Sequence, residues 1–242
     1  MILATDGDFN VGISSESALE ALIEEEKKSG VFLTTLGFGF GNLKDNRLER
    51  LADKGNGMYA YIDTPEEARK VFGEELTGSL YTIAKDVKLQ LEFSPGSVKS
   101  YRLVGYENRL LAKEDFDDDT KDAGDIGAGH SVTALYEIIP HELDQKDLVL
   151  GRLELRYKQP DETQSQLLVH ELTTDVRSVE ETSCNYRWAT AIAAYSLLLQ
   201  DSDYTGVADL QLVEEIAINS LGDDPYGIRR AFLNQLTNTA EL

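Results

Sequence analysis

The sequence predicts a chain of three parts: an α/β region over residues 1–80, an antiparallel all-β region over 81–178 and a small helical cap over 179–242. Three observations predict these parts. Short apolar runs alternate with amphipathic helical stripes in the first part. Apolar and polar residues alternate with a period of two in the second part. Apolar residues return to helical spacing in the third part.

The α/β region contains three predicted strands, each followed by a helix. The strands are predicted at residues 2–4, 31–36 and 58–62. Continuous apolar runs of this kind are typical of strands covered on both faces, and the alternating order predicts a parallel sheet. The third helix has a strong start signal in Thr64, Pro65 and Glu67, with Val71, Phe72 and Leu76 as its buried stripe.

The first helix has less definite signals. Its candidate N-caps are Ser14, Ser15 and Ser17. Ser17 with Glu20 fits a capping box. Glu24 and Lys28 have the spacing of an ion pair on one helix face.

The all-β region is predicted from two long alternating segments. In the first, the apolar residues are Val87, Leu89, Leu91 and Phe93, and the polar ones are Lys88, Gln90 and Glu92. The second segment is 149–157, and shorter ones lie around 98–106, 131–139 and 166–172. Strands with one wet face predict an antiparallel β-sandwich or open barrel.

An acidic loop separates these strands. Asp115, Asp117 and Asp119 alternate as carboxylates do in calcium loops. Thr120 stands where such a loop needs glycine, and Ile126 where it needs a bidentate glutamate. The pattern favours a solvated acidic hairpin, with a Ca²⁺ loop as the alternative.

The helical region is predicted from two apolar stripes and a helix after Pro225. The stripes are Trp188, Ala191, Ile192, Tyr195 and Leu199, and Val207, Leu210, Val213, Ala217 and Leu221. We expect Tyr186, Arg187 and Trp188 to tie the first of these helices to the sandwich.

Composition excludes several classes of function. The 44 acidic and 23 basic residues give a net charge of −21, which repels phosphate backbones and disfavours nucleic-acid binding. No apolar run reaches the roughly 20 residues of a membrane span. Cys184 is the single cysteine, so no internal disulfide forms. The histidines His130, His141 and His170 lack metal-ligand spacing, and no catalytic motif can be named, so we expect no enzyme.

Two sets of residues resemble a known family. Thr5, Asp6 and Gly7 form a turn after the first strand that resembles the third metal-binding loop of von Willebrand factor A domains. Longer stretches resemble the C-terminal domain of the bacterial YfbK-like proteins, in which that domain follows a von Willebrand factor A domain. These stretches are 84–88, 101–109, 122–130 and 132–137.

The resemblance implies the second half of a doubly wound, Rossmann-like A domain, followed by the YfbK-like C-terminal domain. In such A domains three loops hold Mg²⁺ or Mn²⁺, and a partner's carboxylate completes the metal's shell. Asp6 matches the metal-binding aspartate, and Thr5, Gly7, Asp8 and Gly39 are expected binding residues. The chain has neither the family's Asp-x-Ser-x-Ser loop nor a strand for its threonine. We therefore expect the back half of a larger protein, without a cofactor in this chain, and Mg or Mn in the intact protein.

The resemblance also implies the function. We expect a protein-binding, adhesion or scaffold module, extracytoplasmic in location, whose protein partner offers the carboxylate. The alternative is a structural component of an envelope or regulatory assembly that binds without metal. The edge of the parallel sheet at residues 2–4 is a candidate surface for homodimerisation.

Overall fold

The structure is a computed structural model, and it describes residues 1–6, 15–39, 45–76, 78, 81–106, 110–141 and 148–240. It is a mixed α/β chain with three open sheets. The chain divides into two compact units, each made of several segments. The first unit is Met1–Leu89, Lys113–Ser131 and Leu155–Leu168, and the second is Gln90–Ala112, Val132–Glu154 and Val169–Leu242. The three-part boundaries at 80 and 178 stay a prediction.

The first unit begins with a parallel three-stranded sheet. Its strands are β1 (Ile2–Thr5), β2 (Thr34–Phe38) and β3 (Tyr59–Ile62), in the order β1-β2-β3. The central strand β2 is buried along four of its five residues. Leu36 packs with Ala60, Ile62 and Val71, and Thr35 donates a hydrogen bond to the Leu48 carbonyl. The predicted parallel sheet is therefore confirmed, with a central strand that is covered by packing.

Three helices accompany this sheet: α1 (Glu16–Lys28), α2 (Asp45–Lys54) and α3 (Pro65–Lys70). Thr64 caps α3 as predicted, because its hydroxyl accepts from the Glu67 amide at 3.2 Å. A π-helical turn, Val71–Glu75, then continues α3. A π-turn shifts the positions that face inward, and Phe72 is 49% exposed although the helical stripe placed it in the core.

Two expectations for α1 are wrong. Ser15, one of the three candidates, is the N-cap, so the capping box of Ser17 with Glu20 does not form. Glu24 pairs with Lys54 at 2.8 Å, and Lys28 pairs with Glu25. Tertiary contact with α2 thus replaces the predicted pair within the helix.

The six remaining strands form a four-stranded and a two-stranded sheet. They are β4 (Thr82–Phe93), β5 (Val98–Val104), β6 (Gly124–Gly127), β7 (Leu135–Pro140), β8 (Val149–Lys158) and β9 (Gln166–Thr173). The larger sheet has the order β6-β4-β8-β9, and β5 pairs antiparallel with β7. Five of these strands were predicted, and β6 was not, because its first residues belong to the predicted acidic loop. The arrangement as a sandwich stays a prediction.

The second unit contains the three predicted C-terminal helices, α4 (Cys184–Leu199), α5 (Leu210–Ile218) and α6 (Ile228–Ala240). Their core contains Ala191, Val213, Ala217 and Leu236. Leu199 and Val207 are 64% and 90% exposed, so their predicted places in the apolar stripes are wrong. Val207 precedes α5 instead of lying in it. No helix in the described part of the chain has the length and apolar character of a membrane span.

Candidate functional site

The carboxyl ends of the parallel strands form one edge of the first sheet. Asp6 directly follows β1, and Gly39 directly follows β2. Thr5 lies beside Gly37 in the strand register. A Cβ atom built on Gly39 would lie 4.0 Å from the Asp6 Cβ, so the structure brings these two predicted residues together. Gly39 has φ of +93°, a conformation that glycine adopts without steric cost.

Tyr61 adds a contact to this edge that sequence reasoning missed. Its hydroxyl donates a hydrogen bond to the Gly39 carbonyl at 2.9 Å. The parallel register places Tyr61 beside Gly37, so finding this neighbour needs the exact register as well as the strand order. The contact fixes the backbone after β2 next to Asp6.

A Mg²⁺ or Mn²⁺ ion at this edge needs more ligands than Asp6 supplies. Mg²⁺ takes octahedral oxygen coordination and keeps some of its waters. Across the residues that the structure describes, no group of three or more His, Cys, Asp or Glu could hold a metal ion. Gly7 and Asp8, two predicted binding residues, lie outside the described ranges. The described residues by themselves therefore do not fit a complete metal site.

A second charged feature is the acidic loop, residues 113–125, in the first unit. Lys88 of β4 is only 3% exposed, and its Nζ donates to the carbonyls of Asp115 at 3.0 Å and Asp118 at 2.5 Å. The alternating pattern placed Lys88 on the wet face and Leu89 in the core, whereas Leu89 is 52% exposed. The β4–β6 register shifts at a bulge just before Val87, and the predicted alternation lies wholly after this bulge. Lys88 is buried because the acidic loop covers its face of β4.

Lys158 of β8 holds the same loop from another position. Its Nζ lies 2.6 Å from Asp86 Oδ2 and 2.7 Å from the Asp119 carbonyl oxygen. The Lys158 and Asp86 side chains are 12% and 19% exposed. Asp86 Oδ1 also accepts from the Ala123 amide at 3.1 Å. Asp86 thus joins the β4 bulge, β8 and the acidic loop.

Arg156 provides a third contact to the loop. Its guanidinium donates to Asp117 Oδ1 at 2.5 Å and lies 5.4 Å from the ring centre of Phe116, which is buried. Asp119 accepts from the Ser165 amide at 3.2 Å, and hydrogen bonding to Ser165 lowers the pKa of the Asp119 carboxyl.

Asp125 is a carboxylate in this cluster whose surroundings disfavour its charged form. Its Oδ1 accepts from the Asp86 amide at 3.1 Å, whereas its Oδ2 is buried and has no hydrogen-bond partner among the described residues. Burial raises the pKa of the Asp125 carboxyl, and the nearby carboxylates of Asp86 and Asp122 raise it further. A like charge and a low-dielectric surrounding both disfavour the ionised form.

These contacts correct the interpretation of the acidic loop. Its carbonyl oxygens at Asp115, Asp118 and Asp119 bind the ammonium groups of Lys88 and Lys158. The loop is therefore an anchored segment and not a freely solvated hairpin. Its carbonyl oxygens already serve cationic side chains, which argues against a Ca²⁺ loop.

The remaining residues singled out by sequence have structural contacts. The ring of His130 lies 3.2 Å from the Glu75 carbonyl oxygen. Tyr101 packs against Phe93 with ring centres 4.5 Å apart. Arg102 pairs with Glu137. Arg109 lies outside the described residues.

Trp188 packs differently from the prediction. Its ring contacts Phe232 of α6 edge to face at 5.5 Å, and the Arg229 guanidinium lies 5.0 Å from its centre. Arg187 donates to the carbonyls of Glu180 and Thr182 just before α4. Trp188 thus ties α4 to a neighbouring helix rather than to a sheet.

Comparisons with known proteins identify relatives of this chain. The family model described as "Uncharacterized protein YfbK, C-terminal" matches residues 78–150 and 143–242. The uncharacterized protein YfbK of Escherichia coli strain K12 is 39% identical over 250 residues, covering 96% of this chain. This chain corresponds to 43% of that protein's length.

Two solved structures are distant neighbours. The von Willebrand factor type A protein from Catenulispora acidiphila has a TM-score of 0.44 and 20% identity, covering 95% of this chain and 57% of that one. The human COPII-coat protein Sec24c has a TM-score of 0.40 and 12% identity, covering 89% and 27%. Scores this low assign neither a detailed topology nor a function.

Proposed function

This chain belongs to the family of the YfbK C-terminal region, and we propose that it works as a protein-interaction or scaffold module and not as an enzyme. The observation that supports this function most is the carboxyl edge of the parallel sheet. Asp6 is exposed there, and Gly39 lies beside it. Open α/β sheets bind their ligands at this edge. An exposed carboxylate beside a glycine suits contact with a protein partner.

The proposal extends to a metal in a longer protein. This chain spans less than half of its E. coli relative, so further oxygen ligands can come from sequence that this chain does not include. Mg²⁺ or Mn²⁺ held by Asp6 and those ligands would leave a coordination position for a partner's carboxylate. Thr5, Gly7 and Asp8 belong to the same proposed surface. The same proposal places the module outside the cytoplasm.

Substitution of Asp6 in the longer protein tests this function. Titration with Mn²⁺, followed by electron paramagnetic resonance, should show at least about a tenfold loss of affinity in Asp6→Asn. Asp161→Asn, which removes an exposed carboxylate elsewhere, should bind Mn²⁺ like the parent. Partner capture should require Mg²⁺ and fail with Asp6→Asn. Capture that survives both the substitution and a chelator would refute a metal-dependent edge.

A second candidate is a structural component of an envelope or regulatory assembly that binds without metal. The second unit has exposed apolar side chains that a partner could cover, and this favours the second candidate. Examples are Leu110, Val207, Leu199 and Tyr204, each at least 64% exposed. This function predicts capture by the 242-residue chain that is insensitive to a chelator and to Asp6→Asn.

A further inference from the structure

Strand β9 is an edge of the four-stranded sheet, since its sole strand neighbour in the described chain is β8. An edge strand presents unpaired backbone N–H and C=O groups along one side. β9 has eight residues, so about four of them direct both backbone groups outward. A strand from another chain can satisfy these groups by forming a new ladder.

Natural proteins protect such edges, and β9 lacks the short length, the lysine and the proline that often do so. Protected edges are short, bulged, or carry lysine or proline. The opposite edge of the same sheet, β6, has four residues and pairs irregularly with β4. β9 is twice as long and contains no Lys, Arg or Pro. It has the length and composition of an edge that pairs.

The side chains of β9 agree with this role. Leu167, Leu168 and Val169 are 45%, 54% and 54% exposed. Consecutive residues point to opposite faces of a sheet, so β9 offers apolar groups on both faces. A paired strand would cover these side chains as well as the backbone, and apolar burial would add to the ladder hydrogen bonds.

Charge determines which strand fits. Residues 159–173, which contain β9 and the turn before it, carry three carboxylates (Asp161, Glu162 and Glu171) and no Lys or Arg. Asp175, which follows β9, is already paired with Arg177. A second copy of this chain would bring the same acidic flanks and a net charge of −21 against its twin. Like charges at a strand pair are destabilising, whereas opposite charges stabilise it. The edge therefore suits a basic strand.

We propose that β9 accepts an extended basic segment of a partner protein as an added strand, with Lys or Arg alternating with apolar residues. The backbone of the segment pairs with the β9 edge, and its cations face the surrounding carboxylates. This pairing uses none of the residues of the Asp6 edge and needs no metal. The two proposals consequently fail independently.

The test uses the 242-residue chain and a blocked nine-residue peptide of alternating Lys and Val. Hydrogen–deuterium exchange should show that the peptide protects amides within residues 166–173. Binding should persist in a chelator and in Asp6→Asn. A Lys–Gly peptide of equal charge should bind at least about tenfold more weakly, because it lacks the strand-forming valines. A Glu–Val peptide should not bind.

Substitutions in β9 supply the decisive comparison. Leu168→Lys and Val169→Lys put a cation on either face of the edge, and each should weaken peptide binding at least about tenfold. Leu199→Lys is the matched control, since it makes the same change at a leucine that is 64% exposed in α4. It should change binding less than about twofold. Circular dichroism checks that all three variants fold.

Three results would overturn the proposal. If the Lys–Gly peptide bound as tightly as the Lys–Val peptide, charge alone would explain the binding and no added strand would be needed. Protection outside residues 166–173 would place the site elsewhere. Concentration-dependent self-association that protects β9 would make a second copy of the chain the occupant.

Discussion

Replacing Lys158 by methionine tests whether the acidic loop is anchored by buried cations. Methionine keeps the length and apolar stem of lysine, so packing changes little. The substitution removes the ammonium that lies 2.6 Å from Asp86 Oδ2 and 2.7 Å from the Asp119 carbonyl. Asp86 then keeps its negative charge beside Asp125, whose carboxylate already lacks a partner at Oδ2.

The expected loss of stability follows from the burial of the pair. Breaking a fully buried ion pair by removing one partner costs about 3–5 kcal/mol. The Lys158 and Asp86 side chains are still 12% and 19% exposed, so water screens their interaction in part and the cost is smaller. We expect a decrease of about 2–3 kcal/mol in the free energy of unfolding. For a chain of this size that corresponds to a fall in Tm of about 4–12 °C.

Thermal and urea unfolding at pH 7 measure this loss. Lys121→Met is the control, because Lys121 is 51% exposed and pairs with Asp115 at 3.3 Å. An exposed pair of this kind contributes about 0–1 kcal/mol. Equal unfolding free energies for the Lys158 and Lys121 variants would refute the anchoring role of Lys158.

Three further predictions concern individual contacts. Asp125→Asn should raise the free energy of unfolding at pH 7, because burial raises the pKa of Asp125 and its charged form therefore destabilises the fold. The gain should disappear on acidification, since the parent's carboxyl then protonates and loses its charge. Parallel curves of Tm against pH for the two proteins would contradict this. Gly57→Ala should lower the free energy of unfolding by about 3 kcal/mol or more, because the new Cβ would lie 1.8 Å from a backbone carbonyl oxygen. Gly96→Ala is the control, since its Cβ would meet no atom within 4 Å. Chemical unfolding measures the free energy of both variants. Tyr61→Phe should cost about 0.5–1.5 kcal/mol and raise amide exchange near Gly39, and unchanged exchange there would count against the hydrogen bond.

Local signals predicted much of the fold. The cap at Thr64, the parallel strand order and the three C-terminal helices depend on neighbours in sequence, and the structure confirms each. Part of the candidate site was also predictable, because strand ends of a parallel sheet meet at one edge. This explains why Asp6 and Gly39 were expected near each other. Tyr61 was missed because the sequence does not supply the exact strand register.

The sequence by itself determined the helices, all described strands except β6, and the family that the chain resembles, since periodicity and capping are properties of neighbouring residues. The tertiary structure decided which faces are buried. Lys88 is buried and Leu89 exposed because the acidic loop covers the Lys88 face of β4. Glu24 pairs with Lys54 because α2 lies against α1. Alternation of apolar and polar residues along a strand indicates that its two faces differ. Packing between distant segments then decides which face is buried and which charged side chains pair.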